Sequence, residues 1–208
     1  MNRCGWPPGK GACDRQHWRG DPPDEVLLSW PCVGFRELGQ GFGYGDRVVG
    51  SNIRHSVRAV VLDEADRVLL GRHRLKTAVV WATPGGGVES GETPMDALSR
   101  ELRDEIGLTI SDLGPHVWSQ EATGSKYVAG YDGVVNDYFL VRTSSFTPRG
   151  LMTDVELAQG WITGWRWWSL RDIAGYGGPD LFSPRDLLNL LGVLVAFGVP
   201  AQPVRLGA

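Results

Sequence analysis

The chain has 208 residues, of which 42% are apolar and 22% are charged, and its net charge at pH 7 is −3. This length and composition are typical of one enzyme-sized domain with an appendage, and the absence of a basic stripe excludes a genome-binding protein. The sequence shows no apolar run of membrane-spanning length and no secretory signal, and its three cysteines exclude a disulfide framework. We therefore expect a cytoplasmic protein without a membrane or nucleic-acid partner.

The first 50 residues form a Gly- and Pro-rich extension, with ten glycines, five prolines and no sustained periodicity. Such a composition predicts a flexible or only locally packed segment. Its three cysteines and His17 do not have the spacing of structural zinc ligands. A further hypothesis is that this extension is not part of the natural product, with translation starting at Val48 or Val49.

From residue 51 onward, short β-favouring runs alternate with turns and helical segments. Two runs separated by a turn at residues 64–66 predict a hairpin. The expected strands cover residues 56–63, 67–71, 78–82, 117–122, 134–142 and 165–170. A mixture of strands with interspersed helices predicts an α/β fold.

Two helices are expected. The first is predicted to begin at Pro94, with Thr93 as the N-cap, and to end at Gly107 as the C-terminal cap. The second is predicted to open at residues 183–184 and to run to about Phe197. Its apolar side chains predict packing on the domain, and a homodimer contact remains an alternative.

Three acidic side chains lie on the first helix: Asp104 and Glu105 follow Glu101 after three and four residues. Residues at this spacing share one face of a helix, so their carboxylates are expected to converge. A hard divalent cation such as Mg²⁺ or Mn²⁺ would offset the repulsion between them. The simpler alternative is a solvated acidic surface without a ligand.

The stretch from residue 86 to residue 108 resembles the Nudix box, a pattern of nine specified positions at fixed spacing. Asp104 departs from that pattern, because it stands where the family has Glu. The matching positions are Gly86, Glu92, Arg100, Glu101, Leu102, Asp104, Glu105, Gly107 and Leu108.

The resemblance implies a Nudix-type α/β/α sandwich with a mixed β-sheet. It covers residues 51–175, which we expect to form the hydrolase domain, and residues 176–208 are expected to add the C-terminal helix. Gly86, Glu92, Arg100 and Gly107 are expected to be structural within the motif. An ion pair between Glu92 and Arg100 would tie the loop to the helix, although Arg100 could instead reach a phosphate.

Proteins with this box hydrolyse a nucleoside diphosphate linked to another group X, and they need Mg²⁺ or Mn²⁺. The resemblance implies that Glu101, Asp104 and Glu105 hold the metal. Catalytic roles are expected for Glu101, Glu105, Arg100 and Glu156. Glu105 is the first choice for proton acceptor, and Glu121, Asp137 and Glu156 are candidates for a base from a distant loop. Substrate contacts are expected from Arg72, Arg74, Gly86, Gly87 and Tyr127.

The substrate is only coarsely constrained. The region from Glu121 to Gly124 lacks the proline that often marks ADP-ribose hydrolases, and Tyr127 lies close to a tyrosine position of dinucleoside polyphosphate hydrolases. The most general expectation for the substrate is a nucleoside di- or triphosphate. One rival is an isopentenyl diphosphate isomerase, which is disfavoured because no cysteine follows Cys32. The other is a nucleotide sensor that binds without cleaving.

Overall fold

The computed structural model describes residues 52–123 and 130–207. The interpretations of the N-terminal extension, including its cysteines, and of Tyr127 fall outside these residues. Within them, nine strands and four helices follow one another along the chain. Their order and bounds are β1 Ile53–Leu62, β2 Val68–Arg74, β3 Val79–Ala82, β4 Gly85–Gly87, α1 Pro94–Ile106, β5 His116–Thr123, β6 Gly133–Arg142, α2 Asp154–Gln159, β7 Ile162–Trp168, α3 Leu170–Ala174, β8 Leu181–Ser183, α4 Leu187–Phe197 and β9 Val204–Leu206.

All nine strands belong to one mixed sheet in which the central pair, β1 and β6, is parallel. The main path runs β8, β3, β2, β1, β6, β5, β9, while β4 pairs with β1 and β7 pairs with β2. Parallel pairing of β1 with β6 extends from Ile53 opposite Gly133 to Leu62 opposite Arg142. β1 and β2 form the predicted hairpin. β1 is thus the strand that joins the short β4 to the rest of the sheet.

Alternate side chains of β1 enter two different cores, one on each face of the sheet. Val57, Ala59 and Val61 pack with the apolar stripe of α1. Val60 and Leu62 face the other way, into a core completed by α4 through Leu187, Leu191 and Leu194. Helices therefore cover both faces of a mixed sheet, and the predicted α/β/α sandwich is confirmed.

Several elements differ from the sequence expectations. Leu170 opens α3 and does not extend β7, because Ser169 caps that helix through the backbone N–H of Asp172. The final helix begins at Leu187 and not at residues 183–184, because Ser183 belongs to β8 and pairs with Ala82 of β3. Among the described residues, no helix combines the length and apolar character that crossing a bilayer requires.

Candidate functional site

The acidic helix α1 is fixed at both ends by its own sequence. The side chain of Thr93 accepts a hydrogen bond from the Asp96 N–H at 3.2 Å, and the Asp96 carboxylate accepts one from the Thr93 N–H at 3.1 Å. At the other end Gly107 adopts a left-handed conformation with φ of 76°. Both predicted caps are present, so Glu101 and Glu105 are held one helical turn apart.

Glu105 is a buried carboxylate beside the turn at residues 83–85, which leads into β4. Only 7% of the residue is exposed, and its Oε2 accepts a hydrogen bond from the Gly85 N–H at 3.0 Å. Burial, reinforced by the nearby negative charge of Glu101, raises the pKa of Glu105 to about 8. A divalent cation at this position would favour the ionised form of Glu105.

Glu101 lies directly against Gly86. A Cβ atom on residue 86 would collide with the Glu101 carboxylate, so only glycine allows this approach. The same carboxylate accepts a hydrogen bond from Nη1 of Arg100 at 2.8 Å. Gly86 and Glu101 of the box are therefore in contact, as a shared site requires.

Arg100 organises the loop that precedes the helix. Its Nε and Nη2 donate to the two carboxylate oxygens of Glu92 at 2.7 and 2.9 Å, and Nη2 also donates to the Gly87 carbonyl at 3.1 Å. These contacts raise the pKa of Arg100, first through its hydrogen bonds to Glu92. The ion pair expected between Glu92 and Arg100 is present, and a phosphate contact of Arg100 stays a prediction.

Asp104 does not join the two glutamates in this structure. Its Oδ1 accepts a hydrogen bond from Nε of Arg103 at 2.9 Å, at the surface of the helix. Within residues 52–123 and 130–207, no group of three His, Cys, Asp or Glu side chains is arranged to hold a metal. Asp104 lies about 100° around the helix from Glu105 and is one methylene shorter than Glu. The expected convergence of three carboxylates is therefore seen only for Glu101 and Glu105.

The arginines selected from the sequence make contacts at a different part of the sheet. Nε of Arg72 lies 3.3 Å from Oδ2 of Asp180, which also accepts a hydrogen bond from the Trp81 indole at 3.0 Å. Arg74 is exposed at the end of β2, and its backbone N–H bonds to the Trp161 carbonyl at 2.8 Å. Their expected phosphate contacts remain predictions.

Sequence reasoning missed Arg54 and Arg58, two arginines of β1 that lie beside the box. The guanidinium of Arg54 covers Gly87, where a Cβ would come within 2.6 Å of Nη2. Arg58 is buried and donates from Nη1 to the carbonyls of Gly85 and Thr83, at 2.5 and 3.5 Å. The signal available was their alternation: residues 54, 56 and 58 are polar on the strand face that continues as apolar Val60 and Leu62.

Glu156 was expected in a loop, which is wrong, because it lies in the first turn of α2. Its exposed carboxylate accepts hydrogen bonds from the N–H and the hydroxyl of Thr153, both at 2.8 Å. Of the other two base candidates, Asp137 lies 3.1 Å from Nε2 of His116, and Glu121 is exposed on β5. Glu156 lies in a helix because residues 153–156 form a Thr-x-x-Glu capping box, which starts α2.

Solved structures with a similar fold include the following proteins, each with a TM-score above 0.5. The Escherichia coli ORF135 protein is 22% identical, with 73% of this chain and 96% of that chain covered and a TM-score of 0.52. A Nudix hydrolase from Nitrosomonas europaea is 21% identical, with 72% and 92% covered and a TM-score of 0.51. The Nudix domain of Shewanella oneidensis NrtR, solved with ADP ribose, is 15% identical, with 74% and 94% covered and a TM-score of 0.53.

Sequence relatives match over a shorter stretch. An RNA pyrophosphohydrolase from Francisella tularensis subsp. mediasiatica is 44% identical over 63 residues, which is 30% of this chain and 39% of that protein. The homologue from Francisella philomiragia is 43% identical over the same shares. The chain thus spans less than half the length of these relatives. A model of the NUDIX domain matches residues 52–186, more than half of the chain, and the protein therefore belongs to the NUDIX domain family.

Proposed function

We propose that this protein is a hydrolase that cleaves a diphosphate bond in a nucleoside diphosphate linked to another group X. The observation that carries the proposal is the pair formed by the buried Glu105 and the partly buried Glu101, beside Gly85 and Gly86. Two adjacent carboxylates in a poorly solvated position are costly as a structural device, but they suit the binding of a cation and the activation of water.

A divalent metal fits this pair. Glu101 and Glu105 supply only oxygen donors, which Mg²⁺ and Mn²⁺ prefer, and Asp104 would complete the set if its carboxylate left Arg103. Such an ion neutralises phosphate oxygens and lowers the pKa of bound water. The metal dependence of the proposed activity rests on this donor set and on family membership.

The side chains of the chain have distinct roles in the proposed reaction. Glu105 is the proposed proton acceptor for the attacking water, and the Gly85 N–H fixes its carboxylate through Oε2. Arg100, held by Glu92, orients the Glu101 carboxylate. The backbone at Gly86 and Gly87 offers a close approach to a phosphate chain. Glu156 receives no role in this step, since its carboxylate caps α2.

The test is a hydrolysis panel with Mg²⁺ and then Mn²⁺. It would contain nucleoside triphosphates, nucleotide sugars, ADP-ribose, dinucleoside polyphosphates and, because of the name of the Francisella relatives, an RNA with a 5′ triphosphate. We expect turnover that Glu105→Gln lowers by a factor of about 10² or more. Glu64→Gln is the matched control, because Glu64 is exposed and bonds to Ser145, in a turn away from the box. Equal turnover in all three proteins would refute the proposal.

The second candidate function is a nucleotide sensor that binds without cleaving. The contact of Asp104 with Arg103 supports it, because a site with two carboxylates could hold a nucleotide through a metal without activating water. Metal-dependent binding of a panel compound, measured by calorimetry, together with silence in the hydrolysis panel would favour the sensor.

Further parts of the proposal concern the whole molecule. We propose that residues 51–175 carry the catalytic elements, and that residues 176–208 complete the core through α4. The substrate is proposed to be a small molecule and the location cytoplasmic, without a membrane or nucleic-acid partner. A homodimer is the alternative to a monomer, and sedimentation equilibrium distinguishes the two.

A further inference from the structure

We infer that Arg58 is a positioning residue for the proposed hydrolase, one that sets the Thr83–Gly85 turn and through it the Glu105 carboxylate. The inference rests on the proposed function for its kinetic consequence. Arg58 lies in β1, opposite Gly85 of β4 in the antiparallel register, and only 7% of it is exposed. It is thus a buried cation at the junction between the main sheet and the box.

The turn is held from one side by three successive carbonyl contacts. Nη1 of Arg58 donates to the carbonyls of Thr83 and Gly85, and the backbone N–H of Ala59 donates to the Pro84 carbonyl at 2.9 Å. From the other side the Gly85 N–H donates to Oε2 of Glu105 at 3.0 Å. The Gly85 residue therefore lies between a buried guanidinium and a buried carboxylate.

The backbone of Gly85 needs such support. Its φ is +123°, a value that residues with a side chain rarely adopt, and a Cβ there would collide with the Val57 carbonyl. Glycine gives the turn many alternative conformations, so the direction of the Gly85 N–H depends on the contacts made by its carbonyl. Without the guanidinium, the Gly85 and Thr83 carbonyls would lose a charged donor inside the protein.

Misplacement of a reacting group by about 1 Å costs on the order of 10²-fold in rate. Because Glu105 is fixed to the turn by one hydrogen bond, a shift of Gly85 would displace the carboxylate proposed to accept the proton. Arg58 would then affect kcat without contacting the substrate. The conservative Arg58→Lys retains a charged donor, although Lys lacks the planar fork of Arg.

The first measurement uses the protein alone, in EDTA, and follows hydrogen exchange of the Gly85 amide by NMR. Arg58→Met should speed exchange at Gly85 at least tenfold while the amides of β6 keep their protection, and Arg58→Lys should restore most of the difference. Arg142→Met is the matched control, since Arg142 is half-exposed and pairs with Asp66 at 2.7 Å. Unchanged exchange at Gly85 in Arg58→Met would overturn the inference, whatever the protein hydrolyses.

The second measurement follows turnover of the panel compound that is cleaved fastest, with rates expressed per folded molecule. Arg58→Met should lower kcat at least tenfold with KM within about twofold, and Arg58→Lys should recover much of the loss. A lower melting temperature with unchanged kcat would show a purely structural role and would also overturn the inference. If Arg58→Met does not fold, Arg58→Gln, which is too short to reach both carbonyls, supplies the same readouts. Absence of hydrolysis by the wild-type protein would refute the proposed function alone, because exchange at Gly85 still decides the role of Arg58.

Discussion

Glu105 should make the stability of the metal-free protein depend on pH, and Glu105→Gln should remove that dependence. In the folded protein its pKa is about 8, against 4.5 for an unperturbed glutamate. The folded state therefore holds a proton that the unfolded state has already released between these two values. The contribution of Glu105 to stability is fully present below pH 4.5 and is lost as the pH rises through about 8.

The size of this effect follows from the free energy of one pH unit, about 1.4 kcal/mol. Between pH 4.5 and 8 the total is on the order of 5 kcal/mol. Metal binding stabilises the ionised carboxylate, so saturating Mg²⁺ should flatten the profile of the wild-type protein.

The assay is denaturant unfolding in EDTA at several pH values between 5 and about 8.5, followed by circular dichroism. The quantity of interest is the difference in unfolding free energy between wild type and Glu105→Gln, in which the titration of groups that do not interact with Glu105 cancels. The variant should gain stability relative to wild type with each step to higher pH. Parallel curves for the two proteins would refute the reasoning, because they would show that Glu105 titrates as it does in the unfolded chain.

Three further predictions concern other parts of the structure. Gly86→Ala should weaken Mn²⁺ binding at least tenfold, because the added Cβ would displace the Glu101 carboxylate. Electron paramagnetic resonance measures this affinity, and an unchanged value would contradict the contact between residue 86 and Glu101. Burial lowers the pKa of His73 to about 3, so the folded protein keeps this side chain neutral. The free energy of unfolding should therefore fall by up to about 1.4 kcal/mol for each pH unit below 6.5. Denaturant unfolding of His73→Gln should show a weaker dependence of this free energy on pH. Glu156→Gln should keep kcat within about twofold in the hydrolysis assay, since its carboxylate caps α2, and a hundredfold loss would restore it as the base.

Local signals account for the parts of the fold that the sequence predicted well. The boundaries of α1 follow from Thr93 and Gly107, whose capping roles depend only on neighbouring residues. The β1–β2 hairpin and the strands β5 and β6 follow from apolar runs bounded by turns. The prediction was wrong where tertiary pairing overrode a local signal. Ser183 and Pro184 were taken for a helix start, but Ser183 pairs with β3 and belongs to a strand.

The site was predicted only as far as spacing along one helix could take it. Glu101 and Glu105 were expected together and lie together, because their separation by one turn is a property of the helix itself. The Asp104 carboxylate contacts Arg103 and not the two glutamates, and residue spacing alone does not determine which of these neighbours it meets. Arg58 was missed because its importance arises from the pairing of β1 with β4, which joins residues far apart in sequence.

The three-residue strand β9 has a consequence for handling the protein. It pairs in parallel with β5, and the Gln120 side chain donates to the Gly207 carbonyl at 2.9 Å. Removing residues 198–207 would uncover the backbone of Trp118, Ser119 and Gln120, and this edge of β5 would become a template for pairing between molecules. Shortened versions that end after α4 should therefore self-associate, and any fusion partner is better joined beyond Gly207 than in place of β9.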